Sequence, residues 1–357
     1  MLITRRASLT TLAGATLGFA LPSTFGANAG RIRIGQIGTA HSHAAGKMEA
    51  IRSLSELFEV VGVTEANEKI RESATKSKAF AGLEWKSDAD LLATPDLKVV
   101  AVETTLAELA PTALRAIRAG KHVHLDKPGG ANHEQFAAMR KEAEQRGLTV
   151  QMGYMLRYNP AFELLFRAAK EGWFGEITEI DASIGKLAED AQRTALRVHP
   201  GGGMFELACH LIDAVVTLLG KPQAVHAFGR PTRAPADEFK DNQLAVLEYA
   251  KAAVTLRCNH ADPFGGPRRR FLVAGTKGAM EIEPLESGKA TLYLSEARGD
   301  YKKGVQSIAL NVPSDRYAGE FRDLAQVIRG EKKFAWSAAH DIAVHETALR
   351  AAGARKE

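Results

Sequence analysis

The residue types best suited to moving protons in this chain are Lys127, set between Asp126 and Pro128, and the pair Glu206 and His210, four residues apart. A lysine held beside a reacting carbonyl or hydroxyl either stays cationic and polarises the oxygen, or loses its proton and serves as a base. Pro128 restricts the backbone that follows, which aims Lys127 instead of leaving it free in solvent. On a helix, residues four apart share a face, so the Glu206 carboxylate can orient the His210 imidazole and hold its charge while it takes a hydroxyl proton. Plainer readings compete: a solvated lysine at a strand end, and a structural helix pair whose histidine satisfies a buried partner. Glu206 and His210 also have metal-ligand spacing, with His199 or His260 as a third ligand, but the full set of ligands is not readable. No metal is expected.

A second constellation lies near the start of the chain, where Gly38-x-Ala40-x-x-His43 stands in place of Gly-x-Gly-x-x-Gly. In such a turn glycines let the backbone approach a pyrophosphate at a helix N-terminus. Gly38 can still make the tight turn; Ala40 adds a methyl group toward the pyrophosphate, and His43 replaces the glycine of close helix–strand packing. At the end of the next strand, Glu65 either accepts both ribose hydroxyls of NAD and repels a 2′-phosphate, or caps the helix starting near Asn67. No further ligands are assignable near His41 and His43, which places His41 beside cofactor or substrate and His43 as a packing or capping residue.

These residues need elements to hold them. Strands are expected at 31–37, 58–63, 97–102 and 122–125, alternating with helices at 44–57, 68–80 and 110–119. That alternation implies right-handed βαβ crossovers and a parallel sheet, with Lys127 emerging after its fourth strand, at the carboxyl end where open α/β sheets bind ligands. A helix at 134–145 and a strand at 148–152 complete this part. Beyond Gly153 the pattern changes to strands near 177–184, 223–229, 243–249, 252–258, 270–274, 279–283 and 290–294, with a helix over 204–219 among them. The fold class is therefore α/β: an N-terminal Rossmann-type parallel sheet plus a C-terminal α+β domain with a large, mainly antiparallel sheet. The domains are 30–152, 153–335 and a C-terminal helix in 336–357 that packs back between them; Glu320–Arg329 is read as doing the same.

The 357 residues are 45% hydrophobic and 25% charged, which excludes a disordered, collagen-like or disulfide-stapled chain. No apolar run approaches the roughly 20 residues of a membrane span. Of the formal charge of +5, residues 1–29 contribute Arg5 and Arg6 and no acid, and the remainder is too weakly basic to argue for nucleic acid. Those first residues read as a cleavable signal: paired arginines, a short mildly apolar stretch from Leu9 to Leu21, then Ala27-Asn28-Ala29. The arginine pair resembles a twin-arginine signal, which predicts export of a folded protein to the periplasm. In that oxidising space Cys209 and Cys258 have the option of pairing. Pro267-Arg268-Arg269-Arg270 is either a solvated turn or a groove for an acidic sugar.

Four ordered blocks carry a resemblance. Ala119–Pro128 resembles the "AGKHVxxEKP" segment of the Gfo/Idh/MocA family, with Asp126 in place of Glu. Gly153–Pro160 is similar to its "GyxxRyNP" segment, Gly201–Asp213 to its "GGGxxxDxxxHxID" helix with Glu206 at the Asp position, and Gly275–Gly278 to a "GTkG" turn. The resemblance covers about residues 30 to 350. The chain departs from the pattern at Leu106 and Leu109, where the family often has Asn and His. The resemblance implies a nicotinamide-dependent oxidoreductase, with Lys127, His210 and Glu206 catalytic. Gly35, Gly38, Thr39, Ala40, His41, Glu65, Thr104, Leu106 and Asp126 would contact the cofactor, and Arg157, Tyr158 and Lys186 the substrate. It also implies a homo-oligomer through the open face of the second sheet.

The expected function is hydride transfer on a sugar, polyol or glycoside with NAD, NADP being less favoured and the cofactor bound tightly before export. One rival is an NAD-dependent glycoside hydrolase or lyase using transient oxidation, which suits a compartment without free cofactor. The other is a sugar-binding relative whose nucleotide site has decayed.

Overall fold

The apolar runs IRIGQI and LKVVAV become adjacent buried strands in the computed structural model, which describes residues 30–355. They sit at the centre of a six-stranded, wholly parallel sheet. Its strands are β1 (Ile32–Ile37), β2 (Phe58–Thr64), β3 (Trp85–Lys86), β4 (Leu97–Val102), β5 (His122–Leu125) and β6 (Val150–Met152), in the spatial order β3-β2-β1-β4-β5-β6. The crossovers carry α1 (Ala44–Ser53), α2 (Glu68–Thr75), α3 (Asp88–Leu92), α4 (Leu109–Arg118) and α5 (His133–Gln145). This is the doubly wound order that brings ligands to the carboxyl ends of the strands. Helix starts are set by side-chain caps: Asn67 accepts from Lys69 N and Ile70 N at α2, and Asn132 from Gln135 N at α5. The strand β3 and helix α3, of two and five residues, carry no readable period and escape the sequence reading. His122–Leu125 is consequently the fifth strand in chain order, not the fourth.

The second part holds α6 (Pro160–Lys170), β7 (Ile177–Gly185), α7 (Asp190–Leu196), α8 (Gly203–Glu206), α9 (Cys209–Leu219), β8 (Ala224–Arg230), β9 (Asn242–Glu248), β10 (Ala253–Asn259), β11 (Arg270–Gly275), β12 (Gly278–Ile282), β13 (Lys289–Leu294), β14 (Gly304–Ala309), α10 (Ala318–Ile328) and α11 (Ala338–Ala351). The eight strands form one sheet, β14-β13-β12-β11-β7-β10-β9-β8, antiparallel except where β7 and β10 run parallel. Alternation along β10 buries Val254, Leu256 and Cys258 and leaves Ala253 and Arg257 outward.

Both sheets belong to one unit beginning at Arg31, and one continuous apolar cluster runs from Leu125 and Phe136 of the first sheet and its helix to Phe271 and Val344. Helix α11 packs on α5, α9 and α8, which ties the two sheets together. Helix α10 packs on one side through Phe321 and Leu324 against Ile32, Ile34 and Phe58 of the parallel sheet's core, and on the other through Gly319 and Asp323 against Tyr158. The expected signal segment, residues 1–29, lies outside the described residues.

Candidate functional site

Lys127 leaves the end of β5 into the interior, not into solvent. Its side chain is 1% exposed, its backbone N–H donates to Asp126 Oδ1 (2.6 Å), and its Nζ bonds both the carboxylate of Glu206 and the Glu206 carbonyl oxygen (2.8 Å). Burial alone would lower the pKa of this ammonium, but the Glu206 carboxylate outweighs it and holds the pKa raised. Glu206 is correspondingly held well below the usual carboxylate range: desolvation opposes this, and Lys127 overcomes it. The two are a fixed ion pair across the neutral pH range.

This pairing rewrites the expected helix. Residues 204–219 do not form one helix; α8 ends at Glu206 and α9 starts at Cys209. In a continuous helix the Glu206 carbonyl would accept from His210 N. Here it accepts from Lys127 Nζ and from Cys209 Sγ (3.3 Å), and His210 N turns to Leu207 O at 3.4 Å. Glu206 therefore does not orient His210, as the four-residue spacing suggested; it orients Lys127. His210 is buried, with Tyr154 edge-on to its ring at 5.8 Å, and its Nδ1 has no hydrogen-bond partner. Burial first, then the charges of Lys127 and His43, push its pKa down to about 3, so the imidazole is neutral and able to accept a proton.

Three more groups face Glu206. Lys186 stabilises the Glu206 carboxylate by its charge, and His199, whose pKa is pushed down to about 4 by burial, and His260, just past the end of β10, lie close enough to interact with it. Glu206 Oε2, His199 Nδ1 and His210 Nδ1 are all buried without partners. These three unpartnered atoms gather around one lysine, where a bound group would find donors and acceptors.

Other residues expected at the site lie elsewhere. Arg157 does not face the cleft: it is 2% exposed, clamped by Asp213 (2.9 and 2.6 Å) and Asp341 (2.8 Å), and works as a buried tie between the 3-10 turn at Met155–Tyr158, α9 and α11. Tyr158 lines a separate groove with Trp336, its hydroxyl donating to Asp323 (2.9 Å) and accepting from Gln151 (2.8 Å). Gly35 is a packing residue in β1, where a Cβ would lie 2.7 Å from Leu91 Cδ1. Leu106 turns into the apolar core and does not line the cofactor cavity. The arginine cluster is neutralised within the fold, Arg268 by Asp262, Arg269 by Glu286 and Arg270 by Asp181. Cys209 and Cys258 are separate buried thiols. Glu206 and His210 are not among the groups able to hold an ion in the described residues.

Of the other residues expected at the cofactor, Gly38, Ala40, Glu65 and Thr104 line a cavity of about 250 Å³ at the carboxyl ends of β1, β2 and β4, together with Asp88 and Arg115 among others, whereas Thr39, His41 and Asp126 are not among its lining residues. Gly38 has φ +89°, and a Cβ there would lie 2.6 Å from Thr104 Cγ2, so only glycine makes this turn. Glu65 Oε2 accepts from Thr39 N (2.8 Å) and Thr39 Oγ1 (3.1 Å), and its Oε1 from Asn67 N (3.0 Å), so it bridges the turn and the start of α2. Asp88 and Arg115, paired at 3.1 Å, were missed because they come from the unread α3 and from the surface of α4. Glu103, at the end of an apolar strand, was missed for the same want of local signal; it is fully buried beside His41 and Asp126.

A parallel doubly wound sheet with its cavity at the strand ends, joined to a second part whose helices α8 and α9 supply Glu206 and His210, defines a nucleotide-fold protein with a lysine-centred cleft. Residues 32–154 match the oxidoreductase family with an NAD-binding Rossmann fold, and residues 162–281 match the Gfo/Idh/MocA C-terminal domain. The chain belongs to the Gfo/Idh/MocA family. It is 27% identical over 226 residues to the uncharacterized oxidoreductase YhhX of Escherichia coli K12, covering 62% of this chain and 63% of that one. It is 30% identical over 177 residues to a D-xylose dehydrogenase of Paenarthrobacter nicotinovorans, covering 47% and 44%. The match thus spans less than two thirds of the length of either curated relative. Among solved structures, a levoglucosan dehydrogenase in complex with NADH and levoglucosan shares the fold, with a TM-score of 0.77 at 18% identity over 91% of this chain and 98% of that one.

Proposed function

We propose that this protein is an NAD-dependent oxidoreductase that moves hydride between the cofactor and a hydroxyl-bearing carbon of a sugar, polyol or glycoside. The observation that carries the reading is Lys127, locked cationic by Glu206 beside a neutral His210 with a free ring nitrogen. Bound NAD supplies the hydride acceptor. The residues around it do the rest: His210 takes the hydroxyl proton, and Lys127 steadies the charge developing on oxygen. Gly38, Thr39, Ala40, Glu65 and Thr104 would hold the cofactor: Gly38 makes a turn packed on Thr104 that no side chain allows, and the Glu65 carboxylate, which already accepts from Thr39 and Asn67, keeps lone pairs for a ribose hydroxyl. Glu65 and Asp88 on the same wall favour NAD over NADP, because two carboxylates repel a 2′-phosphate and Asp88 already engages Arg115.

A carbohydrate suits the mouth of the cleft. Leu187 follows Lys186, Val198 precedes His199, and the loop carrying Phe264 packs on Gly185–Lys186; all three apolar side chains are exposed. Apolar surface beside polar groups matches the C–H faces and hydroxyls of a sugar. The named activities of the relatives are consistent with this class. Residues 1–29 are proposed as the export signal, and Phe228 on β8 and Val305 on β14, both exposed, support a partner copy on the second sheet.

The test is to purify the exported protein without added cofactor, denature it and identify any released dinucleotide by mass spectrometry. Stoichiometric NAD supports the reading, and turnover is then assayed with sugars, with and without an added acceptor. No dinucleotide released and none bound on titration overturns it in favour of a sugar-binding protein. Glycoside cleavage with no acceptor present selects the redox-neutral reaction instead.

A further inference from the structure

A second group of ligands stands beside the Lys127–Glu206 pair. His41 and His43 come from the turn between β1 and α1, and Asp126 from the end of β5. His41 Nδ1 and His43 Nδ1 each lie 2.9 Å from the same oxygen, Asp126 Oδ2, and the three ligand atoms all fall within 4.8 Å of one another. Glu103 closes the group from the end of β4. Its side chain is fully buried, neither of its oxygens has a hydrogen-bond partner, and Oε2 lies 3.6 Å from His41 Nδ1.

Two features of this group suit a bound cation. The backbone N–H of His43 donates to His41 Nδ1 at 3.3 Å, so that nitrogen presents a lone pair. The same nitrogen lies 2.9 Å from Asp126 Oδ2, a position that either an Nδ1 proton or a bound cation can bridge. The second feature is charge. Glu103 and Asp126 face each other in a buried site beside two imidazoles, and the nearby cations Lys47 and Lys127 are each bonded to another carboxylate, Glu320 and Glu206. Buried carboxylates persist when they are paired or coordinate a cation.

We infer that His41, His43 and Asp126, with Glu103 as a fourth donor, bind a divalent first-row transition metal ion, with Zn²⁺ as the expected occupant. Two ring nitrogens and carboxylate oxygens suit zinc-like ions, whereas magnesium and calcium prefer all-oxygen sets. Ligands about 2.0–2.1 Å from a tetrahedral zinc stand roughly 3.3–3.4 Å apart. The separations of 2.9 and 3.6 Å bracket that value, so occupancy needs shifts of a few tenths of an ångström. The site lies next to the turn that borders the cofactor cavity, yet its ligands do not depend on what fills that cavity.

The full chain is treated with chelator, checked for a cooperative thermal transition, and titrated with Zn²⁺ by calorimetry, with Co²⁺ absorption as a spectroscopic report of nitrogen and oxygen ligation. The inference expects one equivalent per chain, a Zn²⁺-dependent rise in Tm, and at least tenfold weaker binding in His41→Ala, His43→Ala and Glu103→Gln. His226→Ala, an exposed histidine paired with Glu248, should bind as the parent does. If one variant fails to fold, the remaining two carry the test. No saturable binding, or equal binding in the site variants and the parent, means an adventitious ion only and overturns the inference. These readouts need neither NAD nor turnover, so they stand or fall apart from the proposed activity.

Discussion

Lys127 Nζ bonds two atoms of a single residue, the carboxylate and the carbonyl oxygen of Glu206, and in doing so takes the acceptor that would have continued a helix to His210. One contact thereby sets the lysine's charge, ends α8 and frees the imidazole. Replacing Lys127 by Ala should lower kcat by about 10²–10³, the scale of losing one charge-stabilising donor. It should also destabilise the fold by about 3–5 kcal/mol, because Glu206 is left buried and unpaired. The double variant Lys127→Met/Glu206→Leu should regain most of that stability and none of the activity. Denaturant unfolding with steady-state kinetics reads both; full activity in Lys127→Ala would remove the lysine from the mechanism.

His210→Gln should lower kcat by about 10²–10⁴ with a small effect on KM, as expected for loss of a proton acceptor. The pKa of about 3 places the acid limb of kcat/KM well below the ordinary histidine range. A profile inflecting near pH 6.5 would show that His210 is not the base.

Glu65→Ala should weaken NAD by about 10–100-fold, the scale of a hydrogen bond to a charged group, and NADP much less. Dissociation constants for both cofactors check this. An unchanged NAD to NADP ratio would leave Glu65 with only its bonds to Thr39 and Asn67.

Arg157→Leu should cost about 3–5 kcal/mol by breaking its buried pairs with Asp213 and Asp341, which would keep only His340 and Arg140 as partners, while KM of the folded fraction stays at the parent value. A KM effect without a stability loss would return Arg157 to the substrate site.

Stability should fall on acidification. His124, His210 and His345 are buried with pKa values pushed down to about 3, 3 and 4, chiefly by burial. Between those values and the unfolded histidine pKa of about 6.5, the unfolded chain binds protons that the native chain does not. The slope of unfolding free energy with pH is therefore positive across that window, and stability declines as pH drops from about 6.5 toward 4. His345 accepts no solvent contact and lies 2.9 Å from Gly130 O, so His345→Gln should give a shallower dependence of Tm on pH.

The sequence alone determined the parallel sheet, the mainly antiparallel one, the family and the identities of Lys127, Glu206, His210 and Glu65. These follow from period, turn chemistry and ordered motifs, which are local properties of the chain. Tertiary structure alone decided the partners. Spacing put Glu206 beside His210, but a lysine 79 residues away in sequence competes for the same carboxylate and carbonyl, and a buried ammonium wins over a helical amide. Arg157 read as a cleft residue until two aspartates from later helices enclosed it. His41 and His43 had no assignable third ligand because Asp126 lies 83 residues beyond His43, and Glu103 hides at the end of an apolar strand. Charge pairing in a low-dielectric interior depends on distance in space, and no local pattern records it.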